Sequence, residues 1–231
     1  MPPAKKRPAK KAPAKKAPAK KAPAKKAPSP AAPVEPAAPA APKGYPASLT
    51  IDYPEELNRW TTAFRPILAL PLFLLASLIS NVAGLLFLPP LFLILFRQKY
   101  PRWWFDWNFN MLGFLTRIEA YALLLRDEYP STDEQQAVHF GLDRPNVKRD
   151  LNRWLPLVKW FLAIPHLFIL AFLHAAVVVV TIIAWFAILF TGRYPQGMFD
   201  FVVGVFRWTL RVVAYAFALT TDRYPPFSLQ P

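Results

Sequence analysis

The feature that most constrains this chain is the uncharged run from Trp160 to Gly192, bounded by Lys159 and Arg193 and interrupted by Pro165, His166, His174 and Thr181. About 20 apolar residues cross the hydrocarbon core of a bilayer, and no water-soluble domain of this size needs so long an uncharged segment. The run belongs in a membrane.

The chain contains such a run twice. Adding 94 to the numbering carries Leu57-Asn58-Arg59-Trp60 onto Leu151-Asn152-Arg153-Trp154, Pro71 onto Pro165, Phe96 onto Phe190 and Tyr100-Pro101 onto Tyr194-Pro195. The same shift carries Phe105-Asp106 onto Phe199-Asp200, Arg117 onto Arg211 and Tyr121 onto Tyr215, with no gap. Upstream, Ile51-Asp52-Tyr53-Pro54 matches Leu142-Asp143-Arg144-Pro145 once three extra residues are allowed in the second copy. The organisation is a tail over 1–44, a first membrane repeat over 45–130 and a second over 131–231.

Charge separates tail from body. Of a formal net charge of +14, residues 1–44 hold twelve Lys/Arg against Glu35 alone, whereas the body's sixteen Lys/Arg face thirteen acids. From Ala9 to Pro28 the pentad Ala-Lys-Lys-Ala-Pro occurs four times. Proline every fifth residue removes helical hydrogen bonds and the lysines repel one another, so the segment is expected to stay disordered, extended and solvated. Lys5, Lys6, Arg7, Lys10, Lys11, Lys15, Lys16, Lys20, Lys21, Lys25 and Lys26 make it a polycationic arm. Such an arm attracts anionic lipid, nucleic acid or an acidic protein by charge, or acts as a positive-inside topology signal. In composition the pentad resembles the tails of linker histones and of some bacterial nucleoid proteins. Met1-Pro2-Pro3-Ala4-Lys5-Lys6 leads into more Lys and Pro rather than a short apolar core, so no signal peptide is expected.

Tyr45–Tyr53 alternates enough for a short strand, and Ala137–Leu142 is its repeat mate; the two are expected to pair at the membrane surface. Pro54-Glu55-Glu56 suits a helix start. Between Arg65 and Arg97 lie 31 uncharged residues, and 33 lie between Lys159 and Arg193. A straight helix of that length measures roughly 46–50 Å against a core of roughly 30 Å. Two arrangements fit: a hydrophobic hairpin in each copy, or an interfacial helix breaking at Pro71 or Pro165 followed by one tilted span. Cations at both ends of each run (Arg59, Arg65, Arg97, Lys99, Arg102; Arg153, Lys159, Arg193) favour the hairpin, with both ends cytoplasmic. Its turn in the first copy is expected at Ser80-Asn81 and Gly84; the second copy offers only Ala175-Ala176-Val177-Val178 there. Six of the eight tyrosines precede proline, which reads as lipid–water boundaries where helices stop.

Two later helices, about Arg102–Leu125 and Gln196–Leu219, each carry a polar stripe: Asp106, Asn110, Gly113, Arg117 and Tyr121 in one, Asp200, Gly204, Arg207, Arg211 and Tyr215 in the other. Either the stripes lie towards headgroups, as in interfacial amphipathic helices, or they face each other in the bilayer with Asp106 and Asp200 near Arg211 and Arg117.

Phe190-Thr191-Gly192-Arg193, the Phe199-Asp200 helix, Arg211, Tyr215 and the closing Leu219-Thr220-Thr221-Asp222-Arg223-Tyr224-Pro225-Pro226-Phe227 are similar to the bacterial membrane family catalogued as domain of unknown function 4389, in its tandem actinobacterial form. The resemblance covers roughly residues 45–229. The first copy departs from it with Arg97-Gln98-Lys99 after Phe96. It implies fold and location and no activity.

Chemistry has little material. Cysteine is absent, which excludes disulfides, thiolate metal sites and cysteine nucleophiles. His166 and His174 stand roughly 80° apart around a helix, a poor metal pair. His139 reads as a surface-strand residue, and Asp127-Glu128 with Asp133-Glu134 as a solvated connector. No phosphate loop, Gly-x-Ser-x-Gly or His-Glu-x-x-His motif occurs. The expectation is an all-α membrane protein of two tandem repeats, each a surface strand, a helical hairpin and an aromatic amphipathic helix. It is non-enzymatic, without cofactor or metal, multi-pass in the cell (inner) membrane, and cytoplasmic at its N-terminus. The alternative is a transport or channel component with a polar route between the repeats.

Overall fold

The computed structural model describes residues 44–83, 87–132 and 134–231. The tail up to residue 43, Gly84 of the candidate turn and Asp133 of the acidic connector lie outside the described residues. The elements in order are β1 (Ala47–Ile51), α1 (Arg59–Leu68), α2 (Leu70–Ala83), α3 (Leu88–Phe92) running into a π-helical turn (Leu93–Arg97), and α4 (Arg102–Ala122). Then come β2 (Val138–Leu142), α5 (Val147–Asp150), α6 (Pro156–Leu162), α7 (Ile164–Thr191) and α8 (Gln196–Ala216).

The two strands pair antiparallel, as their alternation predicts, with Leu49 opposite Phe140. Those two residues are also repeat mates, because the lead-ins are offset by 91. Ala47 then meets Leu142 while Ile51 meets Val138, the self-complementary pattern of an interface across a two-fold axis. The strands are exchanged between repeats. Arg207 Nε on α8 donates to the Leu49 carbonyl at 2.8 Å, and the Phe140 ring lies 5.0 Å from Phe109 on α4. Each repeat therefore completes the core of the other.

Both apolar runs break at equivalent places. Asn58 accepts the Trp60 N–H at 2.9 Å to start α1, Asn152 does the same for Trp154 at 2.9 Å, and the breaks fall at Ala69 and Ala163, two residues before Pro71 and Pro165. Proline gives no N–H to the carbonyl four residues back and disfavours helix in the residue before it. In the first copy the bend between α1 and α2 is 48°.

Beyond its break the second copy does not form the expected hairpin. It continues as one helix of 28 residues, with Ala175 to Val178 inside it, because no Gly, Pro or Asn is present there to stop it. Of the other expected arrangement, the break just before Pro165 between a short helix and a long one is present. Ser80 and Asn81 of the first copy stay within α2, where Asn81 Nδ2 donates to the Ser77 carbonyl at 2.7 Å.

The backbone repeats even where the sequence does not. Gly192 ends α7 in the left-handed conformation (φ 76°), and Gln98, 94 residues earlier, takes the same conformation (φ 48°) after the π-helical turn. Leu124 and Leu219, with φ of 65° and 55°, form a second such pair offset by 95.

The elements stack in three layers. Thr209 of α8 meets His174 of α7 at 3.4 Å while Arg207, about 200° round the helix, reaches β1. On α4, Ile118 and Tyr121 pack with Ala69 and Leu72 of the first apolar run, and Phe109 packs on β2. α4 and α8 are thus the middle layer between the sheet and the apolar helices. α8 is accordingly no surface helix: Val202, Val205, Val212 and Ala214 are fully enclosed.

Candidate functional site

Among the described residues, nothing covers the outer face of the apolar layer. Only 17% of the most apolar part of α7 is buried, and Phe168, Phe172, Val178, Val179, Ile182 and Phe186 are exposed along it. Phe64, Ile67, Leu70, Phe73, Leu74 and Leu78 continue the face over α1 and α2. Trp60, Trp103, Trp154 and Trp160 are exposed as well. α7 is long and apolar enough to cross a membrane; α1 and α2 qualify only as a bent pair.

Beneath this face sit two equivalent buried cations. Arg65 and Lys159, 94 apart, are 1% and 0% exposed. The Arg65 guanidinium lies 4.4 Å from the centre of the Tyr121 ring, pairs with Asp127, and donates to the Arg126 carbonyl at 2.7 Å. Lys159 Nζ lies 5.1 Å from the Tyr215 ring centre, 2.7 Å from Asp222 Oδ1 and 2.7 Å from the Thr221 carbonyl. The carboxylates also tie down the helix starts: Asp127 accepts the Asn58 N–H at 2.7 Å, and Asp222 accepts the Asn152 N–H. Each latch joins the start of an apolar run to the end of the middle-layer helix of its own repeat. The 94-residue offset was the available signal, since it pairs Arg65 with Lys159 as it pairs Tyr121 with Tyr215.

The predicted stripes are spent on holding backbone. Arg117 Nη1 donates to the Ser131 carbonyl at 2.6 Å, and its mate Arg211 donates to the carbonyls of Ser228 at 3.2 Å and Gln230 at 2.6 Å. Gly204 leaves room for that closing segment, because a Cβ there would stand 2.9 Å from Leu229 Cβ. Tyr121 and Tyr215 lie under the buried cations. Asp106 and Asp200 are exposed, and Asp106 pairs with Arg102 at 3.7 Å. The face-to-face arrangement of Asp106 and Asp200 with Arg211 and Arg117 does not occur, because each arginine is already bound to carbonyls of the segment that follows its own helix.

The other candidates are likewise built into the packing. Trp208 Nε1 donates to His166 Nδ1 at 3.0 Å, and Phe227 stacks on that imidazole at 3.9 Å. His174 bonds the Leu170 carbonyl at 2.8 Å. His139 lies in β2, 3.1 Å from Asp52. Two of the Tyr-Pro pairs, expected where helices stop, stand instead at helix starts, Pro101 and Pro195 being the N-caps of α4 and α8. Tyr100 and Tyr194 are nevertheless buried rather than at a water boundary, and Tyr100 OH donates to the Ala218 carbonyl at 2.8 Å. Among the described residues no group of three His, Cys, Asp or Glu is placed to hold a metal ion. The arm cations Lys5 to Lys26 lie outside the described residues.

Comparison with curated proteins and with solved structures returns no match. The family model described as a domain of unknown function, DUF4389, matches residues 59–132 and again 154–228. Each match runs from the start of an apolar run, through its buried cation and its middle-layer helix, to the carboxylate of the latch and just beyond. The chain belongs to this family, and carries its domain in two tandem copies.

Proposed function

We propose that the chain is a non-enzymatic protein of the cell (inner) membrane, bedded in one leaflet by its apolar layer, with the sheet and the N-terminal arm on the cytoplasmic side. The arm engages anionic lipid and captures nucleic acid or acidic protein by charge. The observation supporting this reading is a line of contacts across the molecule: His174 to Thr209 at 3.4 Å, and Arg207 to the Leu49 carbonyl at 2.8 Å. His174 lies well inside α7 and Leu49 is the middle of β1.

Were α7 upright across a bilayer, the centre of the sheet, its open strand edges and Arg207 would be held at hydrocarbon depth. Lipid does not tolerate unpaired backbone or an unscreened cation there. With α7 along the membrane plane, the apolar face meets acyl chains, the middle layer meets headgroups and the sheet meets water. The same orientation accounts for cations at both ends of each run without a hairpin.

The absence of cysteine gives a direct test. Spin labels on Thr50→Cys and Ile183→Cys are placed in the full chain reconstituted in vesicles, and their exposure to apolar oxygen and to a water-soluble relaxer is compared. The reading expects Ile183 in the acyl region and Thr50 in water; both labels at acyl depth would refute it.

A further inference from the structure

We infer that the cleft between Gln98–Arg102 and Arg144–Lys148 binds an anionic, phosphate-bearing lipid headgroup. The lipid half of this assignment rests on the membrane reading above; the phosphate half does not. The cleft has a volume of about 610 Å³ and is lined by Lys99, Arg102, Arg144 and Lys148, with no Asp or Glu on its walls. Arg102 shares an exposed contact with Asp106 at 3.7 Å, a type of pair that contributes little in water. Lys99, Arg144 and Lys148 form no ion pair among the described residues. Four like charges in one concavity raise the local positive potential and draw an anion into it.

The repeat supplies an internal comparison. The equivalent junction is where Tyr53–Leu57 meets Gly192–Tyr194, held by the Leu57 N–H on the Gly192 carbonyl at 2.9 Å and by Tyr53 OH on the Tyr194 carbonyl. There the lead-in brings Glu55 and Glu56 after Pro54, and the facing helix start has Arg193 and Gln196 where the first copy has Lys99 and Arg102. One junction carries its own counter-charge. The other carries cations from both repeats and none, so its anion has to come from outside.

The surroundings select an amphiphile. Exposed Phe92 and Phe96, stacked with centroids 6.2 Å apart, precede the Gln98 wall of the cleft in sequence, and exposed Trp103 directly follows Arg102. A ligand with a phosphate and an acyl chain satisfies both surfaces; an inorganic anion satisfies only one.

The test is equilibrium binding to the full chain in mild detergent of three probes: short-chain phosphatidic acid, short-chain phosphatidylcholine and inorganic phosphate. The variants are Arg144→Gln/Lys148→Gln in the cleft, Lys99→Gln on its other wall, and Lys10→Gln/Lys11→Gln in the arm as a control removing the same charge. Phosphatidic acid is expected to bind best. Lys99→Gln should weaken it about fivefold and the cleft pair about 20-fold, with the arm pair unchanged. Equal weakening by the arm and cleft pairs would overturn the site, as would equal binding of phosphatidylcholine. Inorganic phosphate binding as tightly as phosphatidic acid would overturn the lipid half alone. Failure of the spin-label test with cleft-dependent phosphate binding intact would overturn the membrane reading and leave the anion site standing.

Discussion

Lys159 Nζ lies 2.7 Å from Asp222 Oδ1 under complete burial of the lysine, and Arg65 stands in the same relation to Asp127 in the other repeat. Breaking a buried pair from one side leaves an uncompensated charge, which costs about 3–5 kcal/mol. Asp222→Asn and Asp127→Asn should each destabilise the chain near the lower end of that range, since both carboxylates are partly exposed. Lys159→Arg, which copies the other latch, should cost far less. Chemical unfolding in detergent measures all three.

The left-handed backbone of Gln98 costs about 1–2 kcal/mol for a residue with a side chain, and its mate Gly192 avoids that cost. Gln98→Gly should therefore stabilise the fold by about 1 kcal/mol, and Gly192→Ala should destabilise it by a similar amount. Opposite shifts of the unfolding midpoint are the expected result.

Gly204 is required by contact rather than by conformation. An added Cβ would stand 2.9 Å from Leu229 Cβ and 3.0 Å from the Leu229 carbonyl oxygen, against the segment held by Arg211. Gly204→Val should cost about 1–3 kcal/mol and release the closing segment to limited proteolysis after Phe227. Gly197→Val, at a position with open space around it, should do neither.

Glu128 gives a pH dependence. Burial pushes its carboxyl up, but the Arg126 guanidinium at 2.6 Å and the Ala137 N–H at 3.2 Å outweigh that and hold it below the usual carboxylate range. A depressed folded value adds stability that is present above the unfolded glutamate value of about 4.3 and is lost as pH falls through the folded value. Unfolding midpoints followed downward from about pH 5 should fall less steeply for Glu128→Gln than for the parent.

The arm should bind by charge alone. A peptide of residues 1–43, titrated onto anionic vesicles and onto duplexes of two unrelated sequences across a salt series, should lose affinity steeply with salt and treat the duplexes alike. A tenfold preference between the duplexes would show recognition of bases instead.

Much of this architecture is legible in the sequence because it is written twice. The 94-residue shift gives the repeat, the alternation gives the strand pair, and Pro71 and Pro165 locate the breaks to within two residues. What the sequence hides is exchange and burial. Nothing local to Leu49 or Phe140 says that each strand packs on the other repeat's helix, and nothing local to Arg65 or Lys159 distinguishes a latch from a headgroup cation. The partners of Arg207 and Arg211 on α8 are backbone carbonyls of β1 and the closing segment, which carry no sequence signature. The hairpin failed in the second copy because Ala175 to Val178 offer no Gly, Pro or Asn to stop the helix, and flanking cations carry no information about a turn between them.

The central claim is that α7 lies along the membrane with both ends on one side. Single cysteines at Lys148→Cys, before the second apolar run, and Arg193→Cys, after it, can be labelled with an impermeant maleimide in right-side-out and inverted vesicles, with no native cysteine to interfere. Both positions should react from the cytoplasmic side and neither from the other. Reaction of the two from opposite sides would mean that α7 crosses the bilayer, and the in-plane account would be wrong.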